Sequence, residues 1–209
     1  MASALHQCAL DQPEIALILN QATQDAVDFK DNDLVIKLGP LPAGIDYSAA
    51  LAREQIAIIV NPDNPVKSLN TEELGAIFSG KAASWSEFGG KDLEIQVWAA
   101  PSGNEIRKQV DAVVLPKETL STKAFLAADS QAMITNVADN PGAIGYVPGA
   151  WLTDSVRSLE LSDSISMALR QPVLALLPKE PSGPGRTFLS CLQNGKGQRL
   201  IQVRYLPWK

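Results

Sequence analysis

Apolar and polar positions divide this chain into short blocks whose period changes several times. Ala4 to Ala9 reads as the end of a helix. Glu14-Ile-Ala-Leu-Ile-Leu19 is a continuous apolar run between Pro13 and Asn20, which predicts a buried strand. Thr23 to Lys30 has helical character. Asp33 to Leu38 is a second strand, stopped by Gly39-Pro40, and Glu54 to Val60 is the strongest strand signal of the first third. These strands are continuous rather than alternating, which predicts a parallel sheet covered on both faces.

The middle of the chain alternates helix and strand signals. Asn70 and Glu73 have the spacing of a capping box, and the helix they open should turn Leu74, Ile77 and Phe78 inward before Ser79-Gly80 stops it. Trp85 and Phe88 precede a Gly89-Gly90 turn. Leu93 to Trp98 alternates as a strand does. Ser102-Gly103-Asn104-Glu105 then opens a helix that Pro116 ends, with Ser102 as the expected N-cap and Glu105 as its partner. Helices are expected over Thr122 to Ala128 and Gln131 to Ala138, followed by a turn at Asn140-Pro141-Gly142 and a strand over Ala143 to Val147. Val156 to Leu161 and Val173 to Leu177 read as strands, Pro184 to Gln193 as a helix, and Leu200 to Tyr205 as a short terminal element. The two most apolar strands frame the middle block. The expected division is residues 1–65 and 148–209 in one lobe and residues 66–147 in an inserted second lobe.

Composition narrows the chemistry. The chain has 209 residues, 45% of them apolar and 20% charged, enough for one large core or two small ones. The formal net charge is −5 and no Lys/Arg cluster appears, so no general nucleic-acid-binding face is expected. One histidine, His6, and two cysteines exclude His- or Cys-rich metal sites, and exclude a Ser-His-Asp triad unless His6 supplies the base. No paired carboxylates, nucleophile–base pair or cofactor loop stands out, so neither an enzyme nor a cofactor is expected. No apolar stretch is long enough to span a bilayer and no signal peptide is visible, which leaves a cytoplasmic protein or one whose export segment is absent from this chain. Cys8 and Cys191 could form one bridge or remain two buried thiols.

Particular residues carry a resemblance. Asn61-Pro62-Asp63-Asn64-Pro65-Val66 leads into Leu69 to Leu74, then Ile77-Phe-Ser-Gly-Lys81, Trp85-Ser-Glu-Phe-Gly89, Ser102-Gly103 and Asn140-Pro-Gly-Ala-Ile-Gly-Tyr146. In order and spacing these resemble the phosphate-type substrate-binding proteins of ABC transporters, within the type II periplasmic-binding-protein-like domains. The resemblance implies a two-lobed α/β fold with a small anion or small polar solute held in a cleft between lobes. It implies a membrane permease as partner and a periplasmic or otherwise extracytoplasmic location for the full-length form. The family's Arg-x-x-x-Ser-Gly-Thr loop falls on Trp98, Ser102, Gly103 and Asn104. Trp98 thus replaces a bidentate cation. The first lobe resembles one truncated at its N-terminus, lacking the first strand and its binding loop, and its second binding loop falls on Asn20, Gln21 and Thr23. An uncovered sheet edge would then be free to pair, so a homodimer is a further expectation.

Each candidate also has a structural reading. Ser102 can cap a helix and still donate to a ligand; Gly103 lets backbone approach, and Asn104 offers an amide. Trp98 is either a packed aromatic or a stacking face for a flatter, less charged ligand. Asn20 and Thr23 are either helix caps or donors at the carboxyl end of a strand. The leading reading is a solute-binding domain of an ABC-type transport system that takes a phosphate-like oxyanion weakly. The alternatives are a ligand-sensing regulatory domain and a structural relative that no longer binds.

Overall fold

The computed structural model describes residues 1–20 and 27–208. In chain order its helices are α1 (Ala2–Leu10), α2 (Thr71–Ser79), α3 (Glu105–Val114), α4 (Ser130–Asp139), α5 (Asp163–Ala168), α6 (Gly183–Asn194) and α7 (Lys196–Ile201). Its strands are β1 (Val35–Leu38), β2 (Tyr47–Val60), β3 (Gln96–Ala99), β4 (Phe125–Leu126), β5 (Ala143–Pro148), β6 (Arg157–Ser158) and β7 (Arg170–Leu177). Two compact units result: Met1–Glu54 with Gln171–Lys209, and Gln55–Arg170. The sequence pattern had put the divisions at 65/66 and 147/148. The observed ones lie further out because Ile56, Ile58 and Val60, and later Leu159, Ile165 and Leu169, share one core with the middle block.

The first unit contains β1, β7 and the opening half of β2 in that order, with α1, α6 and α7 packed on one another. Its core joins Leu51 and Ala52 of β2, Val173 and Ala175 of β7, Ala4 and Leu5 of α1, and Phe188, Leu189 and Leu192 of α6. A Cys8–Cys191 disulfide ties α1 to α6 across a sequence separation of 183. Gly197 sits where a Cβ would collide with the Cys8 sulfur and the Cys191 carbonyl, so only glycine lets α7 approach this bridge. Between α1 and β1 the expected strand is absent. Residues 15–20 are irregular, with Ile15 and Leu17 against the core and Ile18 81% exposed. The run is apolar, but it pairs with no strand. The expected helix over residues 23–30 lies partly outside the described residues, and Val27 to Lys30 are not helical.

The second unit is a sheet in the order β2-β5-β3-β4, with β6 on the other side of β2. β5 and β6 run antiparallel to β2, and β3 runs parallel to both β5 and β4. In the first unit β1 and β7 are also antiparallel. The all-parallel expectation is therefore wrong. Continuous apolar runs report burial on both faces, which is satisfied here: Ile56, Ile58 and Val60 enter one core while Ala57 and Ile59 enter the opposite one. Burial on both faces does not fix strand direction. The expected Asn70–Glu73 capping box closes the start of α2, and Gly80 ends that helix in the left-handed region. The expected helix over Thr122 to Ala128 is instead the short strand β4, drawn into pairing with β3. Among the described residues no helix is long and apolar enough to cross a membrane.

Candidate functional site

The carboxyl end of β3 and the turn into α3 form the candidate site, all within the second unit. Strand alternation buries Val97 and Ala99 in the core that contains α2 and α3, and sends Trp98 to the opposite face, against the α4 side. The next peptide is held from both sides. Ala100 N–H donates to the Tyr146 hydroxyl at 3.0 Å, and the Ala100 carbonyl accepts from Arg107 Nη1 at 2.9 Å. Arg107 in turn meets Asp111 at 3.3 Å, one helical turn further on. Burial in an apolar setting pushes the Tyr146 phenol far above its ordinary value, against the weaker lowering effect of the Ala100 amide. Tyr146 therefore stays a neutral acceptor at any physiological pH.

Beyond Ala100 the chain makes a turn, with Asn104 N–H donating to the Pro101 carbonyl at 3.3 Å. Gly103 takes φ +96°, a conformation L side chains rarely adopt, and a Cβ there would meet nothing within 4 Å. The N-cap is Asn104, whose Oδ1 accepts from Ile106 N–H at 3.0 Å and Arg107 N–H at 3.2 Å. This corrects the expectation that Ser102 caps the helix. The positive φ at Gly103 turns the backbone before the helix starts, so the second polar residue rather than the first reaches the orphan amides. Ser102 is exposed. Among the described residues neither its hydroxyl nor the Gly103 amide has a hydrogen-bond partner.

Trp98 and Phe125 are register partners of the parallel β3–β4 pair, and their rings stack with centroids 4.9 Å apart and planes 25° apart. Phe125 is 49% exposed and Leu126 beside it is exposed too. Charges near the turn are matched locally. Lys108 pairs with Glu105 at 2.7 Å, and Arg107 pairs with Asp111. Among the described residues no group of three or more His, Cys, Asp or Glu is placed to hold a metal ion.

Of the sequence candidates, Trp98, Ser102, Gly103 and Asn104 follow one another along this strand end and turn. Asn20 is an exposed, irregular residue of the first unit, and Gln21 and Thr23 lie outside the described residues. Sequence reasoning missed Arg107 and Tyr146, which fix the base of the turn. An arginine in the first helical turn opposes the helix dipole unless carbonyl or carboxylate groups claim it, and that signal could have flagged Arg107.

A family model for a periplasmic-binding-protein (PBP) superfamily domain matches residues 48–174, more than half of the chain. The phosphate-binding protein PstS of Bacillus subtilis is 33% identical over 142 residues, which are 65% of this chain and 45% of that relative. The chain thus spans about half the length of that curated relative. Among solved structures, one from Clostridium perfringens, described as a phosphate ABC transporter substrate-binding protein with bound phosphate, superposes with a TM-score of 0.86 at 21% identity. That superposition covers 100% of this chain and 94% of the other. The regulatory domain of Synechocystis CcmR in complex with 2-PG gives a TM-score of 0.68 at 15% identity, over 92% of this chain and 88% of that one.

Proposed function

The chain belongs to the PBP superfamily, and on that premise we propose that it is a solute-binding domain of an ABC-type transport system that takes a small phosphate-like oxyanion weakly. The two-lobed type II fold is the one such receptors share. The observation that carries the reading is the turn before α3: among the described residues the Ser102 hydroxyl and the Gly103 amide are unpartnered donors, at a helix start where Gly103 leaves the approach open. A helix N-terminus favours an anion through its dipole and its amides, without a cation. The Asn104 side chain adds an Nδ2 donor, since its oxygen already caps the helix.

Weak affinity follows from charge. Trp98 stands where the resembling family places an arginine, and Arg107 is committed to Ala100 and Asp111. A lost buried charge contact costs about 2–5 kcal/mol. Against a micromolar site that keeps its arginine, a loss near the middle of that range, at about 1.4 kcal/mol per factor of ten, leaves phosphate binding at about 100 µM or weaker. The proposed partner is a membrane permease and the proposed location is outside the cytoplasm. The Cys8–Cys191 disulfide supports that location, because such bridges persist in oxidising compartments. Calorimetric titration with phosphate, sulfate and molybdate tests the reading. Millimolar to high-micromolar binding that Ser102→Ala weakens supports it, and submicromolar phosphate affinity contradicts the charge argument.

A further inference from the structure

The two sulfurs of the Cys8–Cys191 bridge are not equally open to solvent. Cys8 is 0% exposed, packed with Ala4 and Leu5 in the core of the first unit. Gly197 of α7 lies so close over its sulfur that a Cβ there would collide with it. Cys191 packs on the same core from α6 but keeps part of its surface open. That open surface belongs to the side chain. The Cys191 carbonyl accepts from Gly195 N–H at 3.0 Å, and Gly195 and Gly197 close on the Cys191 backbone. Cys191 also borders an open groove along α6, which runs from Gly183 past Thr187 and Ser190 to Gly195. Arg186 is the charged residue among those lining it, and it pairs with Glu180 at 3.1 Å, so the groove selects neither a cationic nor an anionic reactant.

Thiol–disulfide exchange needs a thiolate and a sulfur it can reach, and the product depends on which sulfur is attacked. Here only the Cys191 sulfur can be approached from solvent without displacing α1 or α7. We propose that Cys191 is the exchange site through which the bridge is made and broken, with a low-molecular-weight thiol or disulfide as its reactant and Cys8 as the resolving partner. In the making direction the Cys191 thiolate attacks one sulfur of a small disulfide such as oxidised glutathione. That bond breaks, one glutathione leaves as thiolate and the other stays on Cys191. Cys8 then gives its proton to solvent, attacks the Cys191 sulfur and expels the second glutathione as thiolate. The two cysteines lose two electrons and the small disulfide gains them. Breaking runs the same steps backwards, with the incoming thiolate on Cys191 and Cys8 as the leaving group.

The test uses the full chain, reduced and still folded by circular dichroism. Brief exposure to limiting N-ethylmaleimide, followed by peptide mapping, should find Cys191 alkylated about tenfold faster than Cys8 or more, because Cys8 reacts only when α1 opens locally. In denaturant the two rates should converge. Oxidised glutathione, quenched early with acid, should leave glutathione on Cys191. The single variants separate the two sulfurs: Cys8→Ala should hold one glutathione on Cys191, and Cys191→Ala should leave Cys8 unmodified while the fold persists. Equal alkylation rates in the folded chain, or glutathione found first on Cys8, would overturn the assignment. So would loss of the fold on reduction, since the asymmetry of the two sulfurs belongs to the folded chain.

Discussion

Reducing the Cys8–Cys191 bridge should lower stability by several kcal/mol while leaving the packing of the first unit almost unchanged. The bridge closes a loop with a sequence separation of 183, nearly the whole chain. In the chain-entropy description the cross-link removes 2.1 + 1.5R ln n cal/mol/K from the unfolded ensemble, which at this loop length is about 5 kcal/mol at 25 °C. That is a ceiling, since residual structure in the unfolded chain lowers it. A loss of about 3–5 kcal/mol is expected. Reduction retains both sulfur atoms, so Cys8 remains in the core beside Ala4 and Leu5 and no cavity opens. The Cys8→Ala/Cys191→Ala double variant should lose slightly more, through the missing sulfur volume. Chemical denaturation followed by circular dichroism, with and without reductant, measures the difference, and thiol titration confirms the redox state. The reduced chain should also have a steeper denaturant dependence, because its unfolded state exposes more surface. Coincident curves for fully oxidised and fully reduced protein would refute the reasoning and show that α1 is held by packing alone.

Tyr146 should make stability pH-dependent on the alkaline side. Burial raises its folded-state value above the ordinary 10.0, so stability is intact below pH 10 and falls above it, as the unfolded chain loses the phenolic proton first. The slope should approach 1.4 kcal/mol per pH unit for this group, with burial of Tyr205 adding in the same direction. Tyr146→Phe should flatten the curve between pH 10 and 12 in denaturation experiments, and at pH 7 it should cost about 1–3 kcal/mol because Ala100 N–H loses its acceptor. Asn104→Ala should cost about 0.5–2 kcal/mol by removing the α3 cap, whereas Ser102→Ala should stay within about 0.5 kcal/mol of the wild-type chain because Ser102 caps nothing. Thermal melts of the two variants side by side check this order.

The cap at α3 shows where the sequence could and could not be read. The Asn70–Glu73 box was legible because Glu73 stands three residues after Asn70, the spacing at which each side chain reaches the other's backbone, and Gly80 marks the stop. Before α3 two capping residues, Ser102 and Asn104, flank a glycine. The choice between them rests on the Gly103 backbone and on the grip of Tyr146 and Arg107 on Ala100. Those partners converge only in the folded chain, so local spacing pointed to the wrong residue. Strand direction was hidden for a similar reason. Ile56 to Val60 is buried on both faces whether its neighbours run parallel or antiparallel. The stack of Trp98 on Phe125 depends on a two-residue strand too short to leave a pattern. Trp98, Ser102, Gly103 and Asn104 were picked out by their order within a resembling loop, and the fold sets them along one strand end and turn.

The central claim is that the turn before α3 binds an oxyanion through its own donors. Its most direct measurement is a ¹⁵N-resolved amide titration of the oxidised chain with inorganic phosphate. The account predicts a saturable shift led by the Gly103 amide, with smaller shifts at Ser102 and Asn104, and a midpoint at or above about 100 µM. Saturation with Gly103 unmoved, or with the leading shifts on amides away from the β3–α3 turn, would contradict it.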